Sequence, residues 1–78
     1  MGWKKQGKYL VKEFELQNFK EAVVFVGKIM PIAEMLEHHP DISIHSYNKV
    51  KIMTATHSDG KITKKDRELA KMIDSLVK

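Results

Sequence analysis

The chain has no cysteine. That excludes disulfides, thiolate–zinc centres and covalent thiol chemistry together. No apolar run approaches the roughly 18–20 residues that a membrane-spanning helix needs. The opening Met-Gly-Trp-Lys-Lys-Gln-Gly-Lys has no apolar stretch behind its lysines, so it does not read as a secretory signal. A cytoplasmic location with no membrane partner is the expectation. A glycine-rich phosphate loop is missing, as is any recognisable Ser-His-Asp order. Internal repeats, low-complexity tracts and linkers are missing too, so residues 1–78 are expected to form a single domain.

What is present is the composition of a globular protein, 42% hydrophobic and 31% charged. The formal net charge is +4. The lysines are scattered, with adjacent pairs only at Lys4–Lys5 and Lys64–Lys65, so no nucleic-acid partner is expected. At 78 residues the core is small, and without covalent staples self-association is the remaining remedy.

Residues 3–16 read as a hairpin turned at Gln6-Gly7. Leu10, Phe14 and Leu16 share one parity, and Lys12 interrupts it, which suggests an edge or a bend. Residues 19–38 read as the main helix, capped by Asn18 with Glu21 three positions on. Phe19, Ala22, Val23, Val26, Ile29, Met30, Ala33 and Leu36 make one apolar face, with Val24, Phe25, Ile32 and Met35 as a second stripe. Pro31 predicts a kink near Gly27 or, alternatively, two shorter helices. Residues 42–57 read as a second strand pair linked by a tight turn or a bend at Asn48, with His57 near its end. Thr63 and Asp66 form a capping box for a final helix carrying Leu69, Ala70, Ile73, Leu76 and Val77. The order β-β-α-β-β-α predicts a two-layer α+β fold, a four-stranded antiparallel sheet with helices on one face.

The chemistry concentrates in Glu34-Met35-Leu36-Glu37-His38-His39-Pro40-Asp41. Glu34 and His38 are four apart and would share a helix face, with His39 about 100° away. Simple helix termination accounts for such residues, since cations suit a helix C-terminus and proline follows it. Metal binding by His38, His39, His57 and Glu34 is a sharper account, but His-Glu-x-x-His spacing is missing and adjacent histidines diverge, so no metal is expected. Proton transfer is the third account, because histidine both gives and takes a proton near neutral pH. His45 reads as a surface residue.

The pattern Glu34-x3-His38-His39-Pro40-x6-Tyr47-x9-His57-x8-Asp66 resembles the signature of the pterin-4a-carbinolamine dehydratases. Trp3, Phe14, Phe19-x2-Ala22, Phe25-Val26, Ala33-Glu34, Tyr47-Asn48-Lys49-Val50, Thr56-His57 and Leu69-Ala70 extend the resemblance over residues 3–77. It implies dehydration of a 4a-hydroxytetrahydropterin to the quinonoid dihydropterin, in tetrahydrobiopterin recycling, with no cofactor and no metal. By resemblance, His38 and His57 carry proton transfer and His39 holds the pterin. Glu34, Glu37 and Asp66 match acidic positions that bind pterin or orient imidazoles, although capping already accounts for Asp66. The family also implies a homodimer or homotetramer. Three departures stand out: no helix precedes Trp3, Pro31 interrupts the main helix, and Ile42 stands where many members have a tryptophan that walls the site. Alternative roles are a related step in molybdopterin or other pterin metabolism, and service as a protein-binding dimerisation cofactor.

Overall fold

The computed structural model describes residues 2–77. Strands β1 (Lys4–Gln6) and β2 (Tyr9–Glu15) form the expected antiparallel hairpin. Gly7 turns it at φ 60°, a conformation open to glycine without steric cost. Helix α1 (Phe19–Leu36) follows, and the Asn18 side chain accepts from the Glu21 amide at 2.8 Å. A second hairpin, β3 (Asp41–His45) and β4 (Lys49–Thr54), leads to helix α2 (Lys64–Asp74) and a 3-10 turn over Ser75–Val77. Strand β4 pairs with β2, so the antiparallel sheet runs β1-β2-β4-β3. The α+β expectation is met.

Both helices cover one face of the sheet. Phe14, Val50 and Ile52 rise from the strands to meet Ala22, Phe25 and Ile29 of α1 and Leu69 and Ile73 of α2. The Phe14 and Phe25 ring centroids are 5.0 Å apart. Among the described residues no helix is long and apolar enough to cross a membrane.

Several local expectations need correction. Phe25, assigned to the second stripe of α1, is a core residue, whereas Phe19, Val23 and Met30 from the first stripe are exposed. The buried set Ala22, Phe25, Ile29 and Ala33 is a narrower and slightly rotated face. A sequence with apolar residues on both stripes does not say which one the sheet selects. Helix α1 runs through Pro31 as one element, so two shorter helices do not form. Gly27, whose carbonyl the proline ring crowds, is exposed and has open space around it.

Lys12 marks no edge either. It lies in β2, an interior strand, and points to the helix side of the sheet. Its ammonium bonds the Asp74 carboxylate at 2.8 Å and stands 4.7 Å from the Phe14 ring centroid. The Trp3 indole donates to the same carboxylate at 3.1 Å. The charge thus has a partner at the far end of the chain, which no local pattern shows.

Helix α1 ends at Leu36, two residues short of the expected limit. Glu37 adopts φ 51°, ψ 43°, the left-handed conformation that usually selects glycine. The Glu37 amide donates to the Glu34 carbonyl at 3.2 Å and the His38 amide to the Ala33 carbonyl at 3.1 Å. These paired bonds close a Schellman-type end and swing His38 off the helix axis.

Candidate active site

The Schellman end decides which imidazole meets which carboxylate. In a helix continued to residue 38, Glu34 would lie beside His38. The reversal at Glu37 instead brings His39 Nε2 to Glu34 Oε2 at 2.7 Å. Both side chains are exposed, so this pair contributes little to stability.

His38 turns inward and meets Asp66 of α2. Its Nε2 lies 2.6 Å from Asp66 Oδ1, and Asp66 has no exposed surface. The carboxylate is saturated by donors. Thr54 Oγ1 reaches the same oxygen at 2.6 Å, while Thr56 Oγ1 and the Thr63 amide reach Oδ2 at 2.8 and 2.9 Å. The Thr63 amide contact is the carboxylate half of the anticipated capping box. Burial by itself raises the Asp66 pKa. Hydrogen bonds from Thr54, His38, the Thr63 backbone and Thr56 outweigh it and hold the group below its ordinary 3.8.

An ionised carboxylate can only accept. The His38 proton therefore sits on Nε2, shared with Asp66, and Nδ1 is left as the nitrogen that can exchange a proton. Thr54 and Thr56, at and just past the end of β4, tie this dyad to the sheet.

His57 is not at the end of a strand as expected. Strand β4 stops at Thr54, Thr56 forms an isolated bridge with Lys61, and His57 occupies the exposed turn that follows. The amide of Gly60 bonds the carbonyls of Thr56 and His57 at 2.9 and 3.2 Å, closing that turn. His38, His39 and His57 then line one open pocket of about 330 Å³, together with Glu37, Ala55, Thr56, Ser58 and Lys65. That volume falls at the lower end of the roughly 300–1,000 Å³ typical of small-molecule sites.

Of the sequence candidates, the pocket wall includes His38, His39, His57 and Glu37. Asp66 stands behind His38, and Glu34 binds His39 from the exposed side. Sequence reasoning missed the threonines that hold Asp66, and also Lys65 and Tyr9. The Tyr9 ring meets His57 with centroids 6.3 Å apart at 76°. Nothing in the local pattern signals a contact between positions so far apart. Tyr47, part of the recognised pattern, lies in the loop at the opposite end of the β3–β4 hairpin from His39 and Pro40. His45 sits on the uncovered sheet face, 2.8 Å from Glu13 Oε1. Among the described residues no three His, Asp or Glu side chains converge as metal ligands.

Comparison with known proteins matches the chain to one family. The family model described as Pterin 4 alpha carbinolamine dehydratase matches residues 1–76. A Sulfolobus acidocaldarius protein named "Putative pterin-4-alpha-carbinolamine dehydratase" is 47% identical over 75 residues, spanning 96% of this chain and 81% of its own. A Sulfurisphaera tokodaii protein of the same name is 49% identical, spanning 97% of this chain and 81% of its own. A solved structure from Brucella melitensis, described as a transcriptional coactivator/pterin dehydratase, superposes with a TM-score of 0.87 at 30% identity, covering 95% of this chain and 80% of that one. A pterin dehydratase-like protein identified as a RuBisCO assembly factor in the alpha-carboxysome gives 0.82 at 23% identity, covering 97% and 89%, a likeness of fold.

Proposed function

The chain belongs to the pterin-4-alpha-carbinolamine dehydratase family, and from that premise we propose that it dehydrates a 4a-hydroxytetrahydropterin by histidine acid–base catalysis. The observation that carries the reading is the convergence of His38, His39 and His57 on one pocket. In the reaction the C4a–O bond breaks as the leaving oxygen takes a proton and departs as water. The N5–H proton is removed, and the C4a=N5 double bond of the quinonoid dihydropterin forms. One proton is given and one taken, so two imidazoles suffice.

His38 and His57 serve as that pair. Asp66 keeps the His38 proton on Nε2 and the ring in one orientation, leaving Nδ1 to the substrate. His39, steadied by Glu34, holds the pterin, and the Glu37 carboxylate accepts from its ring N–H groups. Each placed acid or base contributes about 10²–10⁴-fold. The whole chain acts as a single cytoplasmic domain, and tetrahydrobiopterin recycling is its setting.

Self-association belongs to the same reading. Phe19, Val23 and Met30 leave an exposed apolar stripe on α1, and among the described residues β3 has no strand paired on its outer edge. A homodimer or homotetramer covers them.

The deciding measurement is the dehydration of synthetic 4a-hydroxytetrahydropterin, followed against the spontaneous rate. The wild type accelerates it, and His57→Ala loses about 10²–10⁴ of that acceleration. No acceleration by the wild type overturns the enzymatic reading; equal rates for both overturn the role of His57.

A further inference from the structure

The three pocket histidines differ in what holds them. His38 is fixed by the buried Asp66, and His39 by Glu34. Among the described residues the His57 imidazole makes no hydrogen bond or ion pair, and it rides on an exposed turn. A free imidazole there would sample several rotamers. The aromatic ring beside it is Tyr9, which meets it edge to face.

Tyr9 is anchored where His57 is not. It opens β2 and pairs with Gln6 across the first hairpin. The next residue, Leu10, stands opposite Thr54, and Thr54 bonds Asp66. One strand register therefore places both the support of the Asp66–His38 dyad and the ring against His57. The Tyr9 hydroxyl makes no side-chain hydrogen bond among the described residues, so the ring alone makes the contact.

We infer that Tyr9 is a positioning residue for His57, holding by aromatic contact the one pocket histidine that lacks a carboxylate. The inference rests on the proposed dehydration for its kinetic consequence and on geometry alone for the contact itself. Aromatic pairs of this kind prefer the edge-to-face arrangement seen here. Because the contact adds no charge, Tyr9 restricts the His57 ring without adding an ionic partner. Loss of the ring then misplaces a proton-transfer group, which lowers kcat and leaves substrate binding nearly intact.

Two measurements test this independently. Proton NMR of the unsubstituted protein shows cross-relaxation between the Tyr9 and His57 ring protons; their absence overturns the contact, whatever the enzyme does. In the dehydration assay, Tyr9→Leu lowers kcat about tenfold with KM within about twofold, and Tyr9→Phe restores kcat to within about twofold of wild type. Wild-type kcat in Tyr9→Leu, or a Tyr9→Phe variant as poor as Tyr9→Leu, overturns the positioning role. If the wild type shows no dehydration at all, the enzymatic reading fails, and the NMR contact still decides whether Tyr9 holds His57.

Discussion

Asp66 is the residue on which most depends. It has no exposed surface, and four donors converge on it. Its acidity is a statement about stability. The folded carboxyl lies below its ordinary 3.8, so the ionised form is favoured by folding. That contribution is fully present above pH 3.8 and is lost as the pH falls through the lower folded value. Asp66→Asn abolishes this dependence. Urea unfolding at a series of pH values below 4 is expected to show a shallower acid slope for the variant, alongside lower stability at pH 7. An unchanged slope contradicts the assignment. Asp66→Ala, which strands the Thr54 hydroxyl and the Thr63 amide, is expected to cost about 3–5 kcal/mol at neutral pH.

At the scale of elements, the end of α1 trades stability for geometry. Glu37 holds a left-handed conformation that costs a non-glycine residue about 1 kcal/mol. In return the chain reverses within one residue, and His38 and His39 part company toward Asp66 and Glu34. Glu37→Gly is expected to raise unfolding free energy by about 0.5–1 kcal/mol, because glycine adopts that φ freely. The same change removes a pocket carboxylate, so KM for the pterin should rise. Thermal unfolding and steady-state kinetics on one preparation check both, and a variant that is less stable than wild type contradicts the first. The β3–β4 loop holds two more such residues, Ser46 at φ 50° and Tyr47 at φ 56°. Buried Asn48 anchors it, donating from Nδ2 to the Leu16 carbonyl at 3.0 Å while its own carbonyl accepts from the Leu16 amide at 2.8 Å. The link is thus a tight turn over residues 46–48 rather than a bend at Asn48 alone.

For the whole molecule, the question is how so small a chain stands without staples. Its interior is one layer of contacts between a four-stranded sheet and two helices. Phe19 and Met30 are 57% and 60% exposed, more than an isolated helix face of a monomer favours. Val23→Glu combined with Met30→Glu is expected to reduce the sedimenting species to a smaller assembly at micromolar concentration. Identical sedimentation of variant and wild type excludes this face of α1 as the subunit contact, and a wild type that sediments as a monomer overturns the proposed self-association.

The element order, both hairpins, the Asn18 cap, the Thr63–Asp66 contact and the family are all legible in the unfolded chain. Each of those is written in residues near one another: period-2 and period-3.6 alternation, a turn glycine, a carboxylate three residues past a threonine, and histidines at set intervals. Folding set what joins positions far apart. It chose the face of α1 that is buried, because two apolar stripes were on offer and only the sheet can select one. It matched Lys12 with Asp74, His38 with Asp66 and Tyr9 with His57, across separations no local pattern spans. It also exchanged the partner of Glu34 from His38 to His39, because one left-handed residue at Glu37 rotates everything after it. The absence of cysteine marks the same division. Without a thiol no thiol chemistry is possible, whatever the fold, but only the folded chain shows three imidazoles lining a single pocket.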